Sequence, residues 1–109
     1  MQYELVESIP NSSQVIYDFK GFDNWQSMNK IVNIIKEDIK PNKLTFSGRV
    51  NFDGYFEKDG LQVEVHQDET KRTYLEFRGQ ESEKNFNKIR VWAKVIFSEL
   101  MYDELEQKV

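Results

Sequence analysis

Acidic side chains are concentrated in the segment VNFDGYFEKDGLQVEVHQDE, residues 50–69, which also holds a histidine and two Asp-Gly pairs. Carboxylates can bind divalent cations, exchange protons in catalysis or pair with the basic side chains of a partner. Asp and Gly are also common in tight turns, so part of the cluster can be turn chemistry alone. The acidic positions are Asp53, Glu57, Asp59, Glu64, Asp68 and Glu69.

Several catalytic and metal sites do not fit the sequence. The chain has no cysteine, which excludes disulfides, thiolate zinc sites and thiol nucleophiles. His66 is the only histidine, so a His-rich zinc site is excluded. The chain also has no P-loop, no G-x-G-x-x-G and no nucleophile elbow. We therefore expect no cofactor, no bound metal and no catalytic residue.

Composition limits the classes of partner and the cellular compartment that we expect. A net charge of −4 over 109 residues repels phosphate backbones and disfavours nucleic acid as a partner. No apolar run approaches the roughly 20 residues of a membrane span, and no signal-peptide pattern is visible. We expect a cytoplasmic protein without a membrane partner. The abundance of Ile, Lys and Asn hints at a bacterial source.

The length suggests one domain over residues 1–109, with residues 103–109 as a frayed polar tail. Two N-terminal strands are followed by a helix that is capped by Asp23 and stopped by Pro41. A last helix begins near Ser82. The first helix has its apolar residues three and four apart, at Trp25, Met28, Val32, Ile35 and Ile39, and the last helix has a core face of Phe86, Ile89, Ala93, Ile96, Phe97 and Leu100.

Between the helices, residues 44–56 alternate without a break and predict one long strand, or two collinear pieces, with Gly48 and Gly54 at bends or bulges and no hairpin at Asp53-Gly54. The sequence EKDG at residues 57–60 predicts the next turn, and two further strands follow. The element order is β-β-α-β-β-β-α. It predicts an α+β fold in which two helices pack on one face of an antiparallel sheet of about five strands.

This arrangement predicts which side chains meet on the other, polar face of the sheet. With residue 56 opposite residue 61 and residue 65 opposite residue 75, three cross-strand rows form. They are Asp53–Glu64–Glu76, Asn51–His66–Tyr74 and Tyr55–Gln62–Arg78.

Three carboxylates in one row repel each other unless a positive group compensates. Solvent and nearby arginines and lysines, a basic partner protein, or a divalent metal could each fill that role. We interpret this face as a partner-binding site and expect its contact residues to be Asp53, Tyr55, Glu64, His66, Tyr74 and Glu76.

The metal alternative comes with a resemblance. Asp53, followed across a hairpin by Glu64-Val65-His66, resembles the core of PD-(D/E)xK nucleases. In that family an Asp and a Glu hold Mg²⁺ and a Lys two residues further on helps to activate water. Here His66 stands in the place of that Lys, and Gly54 follows the Asp. The resemblance implies metal-dependent phosphodiester hydrolysis at Asp53, Glu64 and His66.

The last helix has a second apolar face. Val91, Val95 and Tyr102 lie roughly opposite its core face, with Trp92 at the border. Contact with the N-terminal strands would cover these residues, and so would a homodimer or another partner.

The sequence is most consistent with a non-enzymatic protein-binding module. Small, acidic, cysteine-poor chains without catalytic residues are common among bacterial immunity proteins and antitoxins, which is an analogy of class. The expected mechanism is occlusion of a basic partner, such as a toxin, by the polar sheet face. A metal-dependent nuclease and a structural homodimer remain the alternatives.

Overall fold

The computed structural model describes residues 2–48, 52–79 and 83–107. In these residues six strands form one sheet, and two helices pack on one of its faces. The elements are β1 (Glu4–Asn11), β2 (Gln14–Lys20), α1 (Trp25–Ile34) with a π-helical turn (Ile35–Ile39), β3 (Lys43–Gly48), β4 (Phe52–Lys58), β5 (Leu61–Gln67), β6 (Thr73–Arg78) and α2 (Glu83–Gln107).

The sheet has the spatial order β1-β2-β6-β5-β4-β3, and every neighbouring pair is antiparallel. The predicted α+β class, antiparallel sheet and pair of helices are therefore confirmed. Six strands replace the predicted five or so, because the long alternating run is two strands that pair with each other. Within the described residues, neither helix is long and apolar enough to cross a membrane.

The alternation of residues 44–56 continues across the break between β3 and β4, so it did not reveal that break. Gly48 lies opposite Phe52, so both even-numbered residues face the same side of the sheet. The three residues between them, 49–51, lie outside the described residues. Gly54 was predicted to bend a strand, but it lies opposite Phe46, where a Cβ would collide with the Phe46 ring and the Thr45 carbonyl oxygen. Its role in the fold is close packing of β3 on β4.

The core lies between the sheet and the helices, and alternate residues of the central strands point into it. The predicted inward parity holds on β2, β5 and β6. The fully buried strand residues include Val15, Tyr17, Phe19, Val63, Val65 and Leu75.

Helix α1 differs from its prediction at its first turn. Asn24, not Asp23, is the N-cap, and its Oδ1 accepts hydrogen bonds from the backbone N and the Oγ of Ser27, at 2.8 and 3.1 Å. Trp25 is 56% exposed, so it does not belong to the core stripe. Lys40, with a φ of 56°, ends the π-helical turn immediately before Pro41. The buried residues of this segment are Ser27, Met28, Ile31, Ile35 and Ile39.

Helix α2 buries most of its predicted core face. Trp92 is also buried, and its ring meets the Phe56 ring edge-on at 5.6 Å. The helix extends to Gln107, so most of the segment expected to fray is helical. The hydroxyl of Tyr3 donates to Glu104 at 2.8 Å, and Lys30 pairs with Asp103 at 3.2 Å. Ser82, the expected N-cap, lies outside the described residues.

Candidate functional site

The helices leave the opposite face of the sheet uncovered, and we call this surface the open face. It is built from the alternate residues of β2, β4, β5 and β6 that do not enter the core. One row across the strands joins Asp18, Tyr74, His66 and Asp53, and the next joins Ile16, Glu76, Glu64 and Tyr55. All six predicted partner-binding residues therefore lie on one surface.

The cross-strand rows agree with the prediction between β5 and β6 and differ from it between β4 and β5. Glu64 faces Glu76 and His66 faces Tyr74, as predicted for β5 and β6. The β4–β5 hairpin closes with Lys58 opposite Leu61, two positions away from the predicted register.

The predicted row of three carboxylates is therefore wrong. Asp53 faces His66, and Tyr55 faces Glu64, so the Tyr55–Gln62 pairing is also wrong. Asn51, the predicted neighbour of His66, lies outside the described residues.

The new register places His66 between two carboxylates. Its Nδ1 lies 2.6 Å from Oδ1 of Asp53, and its Nε2 lies 3.1 Å from Oε1 of Glu64. A neutral imidazole donates from one nitrogen only, whereas the doubly protonated ring donates from both. The ring therefore joins the two carboxylates through its two nitrogens and restricts their positions.

Tyr74 lies between His66 and a cation. Its ring centroid is 5.1 Å from that of His66, and the guanidinium carbon of Arg72 lies 4.6 Å from the Tyr74 centroid on a cation–π contact. Arg72 also binds both carboxylate oxygens of Asp18, which locks its planar fork in place. Burial, followed by the charge of Glu76, raises the pKa of the Tyr74 hydroxyl, so it remains a neutral donor at physiological pH.

The side chain of Glu76 is buried and hydrogen-bonded, so it does not project from the open face. Only 8% of its side chain is exposed, and its Oε2 accepts hydrogen bonds from Gln14 at 2.6 Å and from Arg78. Burial alone would raise the pKa of this carboxyl. The hydrogen bonds from Arg78 and Gln14 and the charge of Arg78 outweigh burial, so its pKa lies below the ordinary value. Glu76 is therefore ionised at neutral pH and acts as a support for the surface.

Asp53 and Glu64 are more accessible than Glu76. Their side chains are 66% and 38% exposed, compared with 18% for the His66 side chain that joins them. Tyr55 is half-buried next to them, and the amino group of Lys43 lies 5.5 Å from its ring centroid. The hydrogen bond from Lys43, followed by that from Thr45, lowers the pKa of the Tyr55 hydroxyl.

Three side chains that could ligate a metal also converge on the open face. Glu64, His66 and Glu76 each offer one atom, and these atoms all lie within 4.8 Å of one another. A mixed set of two carboxylates and one imidazole suits Zn²⁺ or Mn²⁺ better than Mg²⁺, which prefers oxygen ligands and water. Two groups compete with a cation here, because Arg78 and Gln14 already occupy one oxygen of Glu76. The nuclease-like set Asp53, Glu64 and His66 does not converge, since His66 separates the two carboxylates.

Sequence reasoning missed three members of this network, Gln14, Asp18 and Arg72. Their positions depend on the pairing of β2 with β6, which are far apart in the chain. The alternation of β2 does place Gln14 and Asp18 on the outward parity. The sequence has no feature that selects β6 as the neighbour of β2.

The predicted second interface lies on the far side of α2. Val91 is 57% exposed and Tyr102 is 60% exposed, while Val95 is half-buried. The described N-terminal strands do not cover Val91 or Tyr102. Trp92 belongs to the core, so it does not serve as the aromatic anchor of this surface.

Comparisons of the chain with protein-family models, with curated proteins and with solved structures gave no match.

Proposed function

We propose that this protein is a non-enzymatic binding module that occludes a basic partner protein through its open face. The observation that carries the proposal is the clamp of His66 by Asp53 and Glu64. The clamp engages one oxygen of each carboxylate, and the second oxygen can accept a hydrogen bond from an Arg or Lys of the partner. Two exposed carboxylates are thus fixed in place before the partner arrives.

Fixed side chains reduce the entropy that is lost on binding, which for a flexible side chain is about 0.5–1.5 kcal/mol. Tyr74 is held by His66 and Arg72, and Arg72 is held in turn by Asp18. Tyr55 lies on the row next to the clamp. Tyrosines are enriched at protein interfaces because they combine a large apolar surface with a polar end. The open face therefore joins an acidic pair to aromatic contact area.

The net charge of −4 would increase the rate of encounter with a basic partner. Small inhibitors of the immunity-protein or antitoxin type act by covering a basic active site in this way, and a toxin-like partner in a bacterial cytoplasm fits this chemistry. The absence of cysteine suits a reducing compartment. In this proposal Asp53, Glu64, Tyr55, His66 and Tyr74 contact the partner, and Glu76 positions the others.

The test is a charge reversal with a matched control. Asp53→Lys combined with Glu64→Lys changes the net charge by four units on the open face. Glu37→Lys combined with Asp38→Lys makes the same change at exposed positions on the π-helical turn. The probe is the basic protein encoded beside this chain in its native genome, or otherwise the protein that the wild type captures from the native host.

We expect the open-face variant to lose at least about tenfold in affinity while the control retains most of its binding. Circular dichroism establishes that both variants are folded. Equal affinity of the two variants would show that the partner does not bind at the open face.

A second candidate function, metal-dependent hydrolysis, is favoured by one observation, the convergence of Glu64, His66 and Glu76. Titration calorimetry with Mg²⁺, Mn²⁺ and Zn²⁺ tests it directly. Binding that Glu64→Gln abolishes would support this candidate, and no heat at millimolar metal would end it.

A further inference from the structure

Helix α2 carries exposed apolar side chains on the side that faces away from the core. Val91, Tyr102 and Leu105 are each 57–60% exposed. The described residues contain two other exposed large hydrophobic side chains, Ile9 and Trp25, which lie on separate elements. Most of the exposed large apolar residues are therefore gathered on one helix.

The spacing on this side of α2 is that of a coiled-coil seam. The residues follow one another at alternating steps of four and three, which is the 3.5-residue repeat by which two helices pack along their length. From Lys84 to Leu105 the seam is about 31 Å long, at 1.5 Å of rise per residue. Its members are Lys84, Lys88, Val91, Val95, Ser98, Tyr102 and Leu105, and the apolar ones are Val91, Val95, Tyr102 and Leu105.

Two shallow grooves on this surface share Val91. One has a volume of about 570 Å³ and extends from Lys84 to Trp92. The other has a volume of about 310 Å³ and extends from Val91 to Glu99. Side chains from a second helix can occupy such grooves, as knobs enter holes in a coiled coil.

The charges on the seam are divided between its ends. Lys84 and Lys88 lie in the first turns and Glu106 lies in the last turn on the same side of the helix, while Lys94 and Glu99 line the groove between them. Two copies in parallel would place like charges together. An antiparallel pair related by a two-fold axis places Lys88 of each copy near Glu106 of the other and Tyr102 near Val91.

We propose that a second copy of this chain docks antiparallel on the seam of α2 and forms a two-fold dimer. The dimer leaves the open face of the sheet uncovered, so it is independent of the partner-binding proposal. Lys88 also lies 3.6 Å from Asp59, but both side chains are at least 36% exposed, and so weak a surface pair can be exchanged.

Analytical ultracentrifugation from about 5 µM to about 500 µM tests the proposal. We expect a mass that rises from one chain to two over this range. Val91→Glu places a charge among the apolar residues of the seam, next to Tyr102 of the other copy, and should leave a monomer, while Trp25→Ser removes an exposed apolar side chain elsewhere and should dimerise as the wild type does. A monomer at every concentration would overturn the proposal and leave this face to a different partner.

The orientation is tested by reversing the two charges. Lys88→Glu alone or Glu106→Lys alone should weaken the dimer by about tenfold or more, because two-fold symmetry makes each change act twice. Lys88→Glu combined with Glu106→Lys should restore the affinity, since the pair is exchanged across the interface. If the double variant is as weak as either single variant, the antiparallel arrangement is wrong. Urea denaturation of all three variants establishes that they remain folded.

Discussion

Two hairpins share β5 and build the open face, but they close by different physical means. The β4–β5 hairpin turns on two residues, Asp59 and Gly60, whose φ angles of 53° and 79° are both positive, as a type I′ turn requires. The β5–β6 hairpin turns on a longer loop that a side chain organises. Oδ1 of Asp68 accepts hydrogen bonds from the backbone N of Thr70 at 2.9 Å and of Arg72 at 3.1 Å. Backbone conformation holds the first turn, and a carboxylate holds the second.

The β5–β6 register was predicted correctly and the β4–β5 register was not, although alternation constrains both in the same way. Alternation fixes which face a residue occupies, but a shift of two positions keeps every residue on its face. The predicted four-residue EKDG turn and the two-residue turn in the structure are therefore equally compatible with the pattern of β4 and β5. Only the preference of Asp-Gly for tight turns separates them, and that preference favours the two-residue turn.

The largest expected effect is at Gly60. Its φ of 79° is costly for a β-branched residue, although a Cβ there would meet no atom within 4 Å. We expect Gly60→Val to lower the free energy of unfolding by about 2 kcal/mol, a cost of backbone conformation alone. Gly60→Asn is the matched control, because Asn tolerates this conformation, and it should cost less than half as much. Urea denaturation measures both, and equal losses would contradict a purely conformational cost.

A smaller effect is expected at Asp68. Asp68→Ala removes the acceptor of the loop hydrogen bonds and should cost about 1 kcal/mol, since the freed donors can bind water in this exposed loop. Asp68→Asn keeps an oxygen acceptor and should cost less. Hydrogen exchange at Thr70 and Arg72 locates the change. Faster exchange in the β4–β5 turn instead would show that the two hairpins do not open separately.

The smallest effect is a dependence on pH. The hydrogen bond from Thr70 lowers the pKa of Asp68 against the opposing effect of burial, with further help from the backbone N–H groups of Arg72 and Thr70. The folded pKa is thus below the unfolded value of about 3.9, so the stabilisation is present above about pH 4 and is lost as the pH falls through the folded pKa. The difference in stability between wild type and Asp68→Asn should shrink on acidification below pH 4. A difference that stays constant would exclude this linkage.

Much of the fold followed from alternation and helical spacing, because burial imposes both directly. The helix packing of Met28, Ile89 and Ile96 and the common face of Glu64 and Glu76 were predictable in this way. Features that depend on contacts between distant segments could not be predicted from these patterns. The support of Glu76 by Gln14, 62 positions away in the chain, is of this kind.

The pairing of β2 with β6 has a consequence for how the chain reaches this structure. Asp18 of β2 lies opposite Tyr74 of β6, yet more than fifty residues lie between them in the sequence. Bringing them together costs roughly 3–4 kcal/mol of chain entropy before any contact between β2 and β6 can offset it. Within the β1–β2 hairpin and within the β3–β6 meander, each strand pairs with its neighbour in the chain, so each unit can form first. We therefore expect the joining of these two units to be the slow step of folding. Val15→Ala, on β2 where it pairs with β6, should slow refolding more than Val63→Ala within the meander.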